Sequence, residues 1–328
     1  MRTTNSPFLV ADIGGTNARF GLSTGDPGRF ASLLVLACAD YAGLSDAIRD
    51  YLSRAGNPTV QEAVIAIATP VLGDQVQMTN HHWSFSIEQT REDLGLNTLL
   101  VINDFAALAM SLPQLKDSQL RRLDHHREDR AGVKVVLGPG TGLGVAGLVP
   151  TDSGWQALST EGGHVSFSPT NPLELELLTL LWHEHRHISA ERLISGPGIA
   201  LLYRALCKIA GTVPAADDAA QIVELAASGG CKIAQQTTQV FSGLLGGMAG
   251  NVALTLGATG GVYLGGGVLG KLGRNFDVEV FCQRFIAKGR FEKYLDAIPR
   301  YLIVEEQPAL IGAAQALRRK RAIAGKNA

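Results

Sequence analysis

Residues 11–22, ADIGGTNARFGL, decide how the rest of the chain is read. With Phe8-Leu9-Val10 in front, the run is almost continuously apolar up to Gly14, the pattern of a strand covered on both faces of a sheet. Gly14-Gly15 then breaks it, and Asn17 onward alternates as a returning strand. An acidic residue, Asp12, sits just before two glycines and a threonine. Glycine lets backbone amides approach a polyphosphate closely, and a carboxylate there can hold a Mg²⁺ that screens the phosphates. An ordinary glycine hairpin has the same letters, so the turn alone leaves both readings open.

The pattern returns once. Residues 137–148, LGPGTGLGVAGL, again give a buried strand, a glycine turn carrying a threonine and a second strand, which points to two related halves. Gly142, Gly144 and Gly147 also spell GxGxxG. A dinucleotide fingerprint should open a helix and be followed about 20 residues later by an acid, whereas LGVAGLV alternates like a strand and no such acid follows. No lysine in the chain precedes Ser or Thr, so a Walker A loop is absent. Any ATP must therefore be held by hairpins.

Outward from the first turn, RFASLLVLA reads as a third strand, Tyr41 to Ala55 as a helix, AVIAIATP as a buried strand and LLVIND as a strand running into the helix DFAALAMSL. The polar run LKDSQLRRLDHHREDR interrupts this order, and at 328 residues the chain exceeds what one core spans. The expected division is a small α/β domain of residues 1–114 plus 305–328 and a large one of residues 115–304. Helices are expected over Pro172 to His187, Pro197 to Ala210 and Pro308 to about Arg321, and strands at GGVYLGG and YLIVE. Ile233 to Gly270 lacks any Asp, Glu, Lys or Arg, but its glycines and glutamines predict a buried helix, a turn and a core strand rather than a membrane span.

A net charge of -1 and a pI near 6.7 give no field to hold nucleic acid or an anionic membrane. Cys38, Cys207, Cys231 and Cys282 form no CxxC pair and suit reduced thiols, and no signal peptide is expected, so the cytoplasm is the expected compartment. Asn103 and Asp104 end a strand, where open α/β sheets bind ligands. Asp104 could cap the following helix or take a proton from an attacking hydroxyl. Glu161 and His164, in EGGH, and Glu191 offer acceptors and a switchable donor for vicinal hydroxyls. His183, Glu184 and His187 spell HExxH, but a zinc site wants an extended helix and a third ligand, and Ile188-Ser189 reads as a break.

Taken together, ADIGGTNARF, TNHHWSFS, INDFAALA, GPGTGLG, EGGHVSFSP, SAERLISGPG and GGVYLGGG, spread from about residue 8 to residue 317, resemble the bacterial glucokinase family. The resemblance implies a two-domain actin/hexokinase-like (ribonuclease H-like) ATPase fold with mixed sheets flanked by helices, closing on glucose and MgATP, and a homodimer is expected. It implies that Ala11, Asp12, Ile13, Gly14, Gly15 and Thr16 form the ATP phosphate loop, with Asp12 meeting Mg²⁺ through water. Many relatives carry glycine where Ala11 stands. Thr141 and Gly142 would belong to the second phosphate turn, and Gly265, Gly266 and Gly267 would lie near the adenosine. Asp104 would be the general base on the sugar's primary hydroxyl. Asn103, Asp104, Glu161, His164 and Glu191 would bind the sugar. The related kinase and repressor family with a zinc-binding cysteine cluster is excluded by the cysteine count. Phosphorylation of another hexose, fructose or mannose, and a non-catalytic actin-like ATPase module are the competing readings.

Overall fold

The computed structural model describes residues 7–24, 28–124 and 132–326. Parts of the charged run (residues 125–131) and of the N-terminal stretch (residues 1–6) lie outside the described residues. The chain divides into two compact units, residues 1–119, 148–159 and 305–328 against residues 120–147 and 160–304. Residues 115–119 and 148–159, assigned from sequence to the large domain, group with the first unit.

Its strands are β1 (Phe8–Ile13), β2 (Asn17–Ser23), β3 (Phe30–Ala37), β4 (Glu62–Ile67), the short pair β5 (Gln75–Gln77) and β6 (Ser84–Ser86), and β7 (Thr98–Asn103). The sheet order is β3-β2-β1-β4-β7, antiparallel up to β1 and parallel beyond it. The apolar run of β1 is explained by burial on both faces. Leu9, Ala11 and Ile13 pack with Ile65, Ile67 and Tyr51 on one side, while Phe8 and Val10 meet Val64, Ala66 and Leu310 on the other. Each large side chain so buried contributes about 1.5–3 kcal/mol.

Under the second face lies the C-terminal helix Pro308–Lys326, several residues longer than its sequence suggests. It rests against the helix Asp104–Ser111 so closely that a Cβ on Gly312 would overlap the Ala107 carbonyl. That approach fixes the helix whose first residue is Asp104.

Unit 2 is built on β8 (Leu120–Arg122), β9 (Lys134–Pro139), β10 (Leu143–Thr151), β11 (Gly154–Thr160), β12 (Val262–Leu264) and β13 (Arg300–Ile303), in the order β11-β10-β9-β12-β13-β8. Its first five strands repeat the order of the other sheet, in keeping with two related halves. The glycine turn again joins the first two strands of the set. The strand β8 and the helices Ala219–Ser228 and Val278–Ile286 had no counterpart in the sequence reading.

The central helix Lys232–Leu256 is long and apolar enough by length and composition to cross a membrane, yet 67% of its most apolar window is buried in the structure. Its Phe241, Leu244, Leu245 and Ala249 belong to the unit's core, as expected of a segment whose glycines and glutamines argued for a buried helix.

Candidate active site

In unit 1 the first turn is a tight hairpin in which the Gly14 amide donates to the Asn17 carbonyl at 2.9 Å. Cys38 braces it, its amide donating to the Thr16 carbonyl (2.8 Å) and its Sγ to the Gly14 carbonyl (3.5 Å). The side chains of Ala11 and Ile13 point into the core, so only their backbone is available to a ligand, and the methyl of Ala11 fills sheet interior. Thr16 is exposed. Asp12 keeps 25% of its side chain accessible and pairs with Arg19 at 3.4 Å. Burial raises its carboxyl above the ordinary 3.8, and Arg19 offsets this in part.

The parallel strand β7, one place beyond β4, ends at Asn103 and Asp104. The sequence left open whether Asp104 caps the helix, and the cap proves to be Asn103, whose side-chain oxygen accepts from the Phe105 (3.0 Å) and Ala106 (3.1 Å) amides. Asn103 Nδ2 donates to Asp104 Oδ1 at 3.0 Å, and Asp104 Oδ1 also accepts from the Phe105 amide at 2.9 Å. The carboxylate is thereby aimed by its neighbour, with Oδ1 engaged by two donors.

In unit 2 the second turn closes with the Gly140 amide donating to the Gly142 carbonyl at 2.8 Å, and it opens into the strand β10 rather than a helix. Glu191, on the short helix Ala190–Leu193, reaches under this turn. Its Oε2 accepts from the Leu143 amide at 2.8 Å, in the space that a Cβ on Gly142 would fill. His164 Nε2 lies 3.9 Å from Glu161 Oε2 and 3.9 Å from Glu191 Oε1, so three groups predicted from two separate motifs form one cluster.

The third glycine run also belongs here. The Gly265 amide donates to the Leu137 carbonyl (2.8 Å), and Gly266, at φ 86°, lies so close to Gly138-Pro139 that a Cβ would overlap the Pro139 carbonyl. Only glycine fits there, on both counts. The structure thus joins Thr141 and Gly142 to Gly265, Gly266 and Gly267 in one unit, and Asp12 to Thr16 with Asn103 and Asp104 in the other.

Several supporting residues escaped the sequence reading. Asn80 lies against Gly15, where an added Cβ would be 3.0 Å from the Asn80 carbonyl, so TNHHW covers the first turn. Buried Thr69 donates through Oγ1 to the Gln77 carbonyl (3.0 Å), shares a hydrogen bond with Thr79 Oγ1 (3.0 Å) and accepts from Asn103 Nδ2 (3.4 Å). Asn80 and Thr79 stood inside a quoted motif; Thr69 had no sequence signal of its own. His187 reads differently from its HExxH spelling. The helix ends at Trp182, before the motif, and His187 Nε2 lies 3.1 Å from the His164 carbonyl. Among the described residues no group of His, Cys, Asp and Glu is arranged to hold a metal ion.

With this geometry established, comparison with known proteins adds the following. A family model described as glucokinase matches residues 9–320. The bifunctional protein glk of Burkholderia lata is 51% identical over 318 residues, covering 95% of this chain and 49% of that protein. The chain therefore spans about half the length of such bifunctional relatives. The glucokinase of Neisseria meningitidis serogroup B is 48% identical over 311 residues, covering 95% of this chain and 94% of that protein. Among solved structures, the glucokinase of an Antarctic psychrotroph superposes with a TM-score of 0.87 at 39% identity, covering 95% of this chain and 99% of the other.

Proposed function

Because this chain belongs to the glucokinase family, we propose that it transfers the γ-phosphoryl group of ATP to the primary hydroxyl of glucose, giving glucose 6-phosphate and ADP. One observation carries the reading: Glu191 is shared between the cluster with His164 and the second glycine turn, which supports hydroxyl recognition beside a phosphate-holding turn.

The chemistry asks for little more than positioning, charge neutralisation and a base. The new bond forms between the sugar oxygen and the γ-phosphorus as the bond to the β,γ-bridging oxygen breaks, and the hydroxyl proton passes to Asp104. Asn103 holds that carboxylate in place, and it can meet a sugar hydroxyl itself by releasing the Thr69 carbonyl. Glu161, His164 and Glu191 bind the remaining hydroxyls. Backbone amides of Gly14 to Thr16 and of Thr141 and Gly142 face the phosphates, and Gly265 to Gly267 lie near the adenosine.

Asp12 fits a Mg²⁺ held through water, since a partly accessible carboxylate whose lone charge burial disfavours gains from a nearby cation. Bound with ATP, the ion would screen the phosphate charges.

The proposed setting is the cytoplasm, which the four free thiols suit. The proposed assembly is a homodimer, supported by half-exposed Leu175 and Trp182 on one helix and checked by sedimentation.

A coupled assay with glucose, fructose and mannose tests the substrate. The expected kcat/KM for glucose exceeds the others by at least about tenfold, since a site built on hydrogen bonds discriminates by leaving groups unpaired. Equal or better turnover of fructose or mannose would overturn the assignment.

A further inference from the structure

Behind the sugar-type cluster lies a cavity of about 250 Å³, with a mainly apolar lining. One wall is the segment that carries the cluster. The Phe167 amide donates to the Ile188 carbonyl (2.8 Å), the Ala190 amide donates to the Val165 carbonyl (2.9 Å), and Ser166 pairs with Ser189. This small ladder ties the loop of Glu161 and His164 to the helix of Glu191. Val165, Ser166, Phe167 and Ala190 all face the cavity. The opposite wall is formed by Leu244, Met248 and Val252 of the central helix.

The cavity's charges do not balance. Glu174, almost wholly buried, is paired with Arg284 at 2.8 Å and also accepts from the Thr170 amide (2.7 Å) and hydroxyl (3.0 Å). Arg284 also donates to the Thr170 hydroxyl. These two neutralise each other. Lys288, two residues past the end of the helix Val278–Ile286 that carries Arg284, donates to the Gly247 carbonyl at 3.0 Å and has no carboxylate within ion-pair distance among the described interactions. An ammonium has three donors, so two remain for a ligand. Burial first, and then the neighbouring Arg284, hold its pKa below the usual value, and the Glu174 carboxylate offsets this only in part, so an anion arriving at the ammonium would relieve it further.

We propose that this cavity is an effector site for a small organic carboxylate with a compact apolar body, its carboxylate on Lys288 and its body against Phe167, Met248 and Val252, and that occupancy shifts the half-saturation for sugar. The coupling rests on the kinase reading above, because it acts through the ladder that positions Glu161, His164 and Glu191. The binding does not. A pocket that is apolar with a few convergent polar groups is the general form of a small-molecule site. A ligand there alters sugar binding only by its differential affinity for two positions of the ladder, and coupling energies between sites commonly give changes of about fivefold or more.

The test uses phenylacetate and its neutral isostere phenylacetamide, titrated calorimetrically into the full chain. Phenylacetate should bind saturably and at least about tenfold more tightly than the amide, and Lys288→Met should remove that difference. Thr255→Trp, at an exposed position on the rim, should block both compounds while retaining the wild-type melting temperature. In the wild type, saturating phenylacetate should change the glucose half-saturation by about fivefold or more with kcat unaltered, and Lys288→Met should abolish that change. Absence of saturable binding, equal affinities for acid and amide, or binding indifferent to both substitutions would overturn the site. Binding without any effect on glucose half-saturation would overturn the coupling. Failure of the kinase reading shows separately, as absence of glucose turnover before either probe is added.

Discussion

The two glycine turns have the same topology and opposite equipment. The first carries its own charge, Asp12 paired with Arg19, and lies in the same sheet as the strand end that presents Asp104. The second has no ionised group of its own; it receives Glu191 where a Cβ on Gly142 would stand, and Gly266 approaches it so closely that a Cβ on Gly266 would overlap the Pro139 carbonyl. Steric demand differs in the same sense. A Cβ on Gly14 would meet only the Asn17 carbonyl at 3.6 Å, an ordinary contact, and Gly14 does not have positive φ. The first turn thus carries its own charge and leaves Gly14 open, with only Gly15 covered by Asn80, while the second turn contributes close-fitting backbone at Gly142. Changes of charge without volume should act on turnover in the first unit, and additions of volume should act on binding in the second.

The largest effect should follow Asp104→Asn. Its shape, and its acceptance from the Phe105 amide, survive the change, while the proton acceptor is lost. The fold and glucose affinity should persist and kcat should fall by at least about a hundredfold, the scale of a lost general base. Near-normal turnover in a folded variant would remove the base from unit 1 and break the division of labour. Steady-state kinetics with a glucose binding titration decide it.

Next come paired alanines. Gly142→Ala drives a methyl into the Glu191 carboxylate and should raise the glucose half-saturation by about tenfold or more, whereas Gly14→Ala should leave folding and glucose binding near wild type. Gly266→Ala combines a positive φ with overlap on Pro139 and should weaken ATP binding and lower stability by about 2 kcal/mol or more. Equal sensitivity of Gly14 and Gly142 to alanine would erase the contrast.

Much of this was legible in sequence because the signals were local. Burial on both faces made β1 continuously apolar, and glycines with a threonine after a strand marked each turn. Capping chemistry offered Asp104 as the cap, and the structure gives that place to Asn103, one residue earlier, because Asn and Asp do that work equally well. Illegible features were made by partners distant in the chain. β8 is three residues in a charged run and exists only through pairing with β13. Residues 148–159 leave the unit their neighbours belong to. Thr69 and His187 gain meaning only from Asn103 and His164, 34 and 23 residues away.

Asp12→Asn probes the charge of the first turn through pH. The folded carboxyl has its pKa raised by burial, so the fold holds the proton more tightly than the unfolded chain does. Below the unfolded value of 3.8 both states are protonated and the group costs nothing. As pH rises through the folded pKa, wild-type stability loses ground that the asparagine variant keeps. In the absence of ATP and Mg²⁺, Asp12→Asn should therefore melt higher than wild type at pH 7, with the gap shrinking toward pH 4. With MgATP its kcat should fall by about tenfold or more, as charge stabilisation is lost. A melting gap independent of pH would show that the carboxylate bears no burial cost.

The smallest expected effect tests the spelling HExxH against the geometry. His187 meets the backbone carbonyl of His164 at 3.1 Å, so it steadies the loop through its backbone. Losing one such hydrogen bond is worth about 0.5–1.5 kcal/mol, which corresponds to about two- to tenfold in an equilibrium. The expected value for His187→Ala lies at the low end, because His164 is 60% exposed and water replaces part of the contact. Glucose half-saturation should rise about two- to threefold with kcat unchanged. A metal role makes a different demand: His183→Ala and His187→Ala would then release a stoichiometric zinc, and excess Mg²⁺ would fail to restore the activity removed by EDTA. If His183→Ala is silent, His187→Ala shifts only the sugar term, and Mg²⁺ restores the full rate after EDTA, the motif is a bracket for the hydroxyl-binding loop in the unit that works by shape.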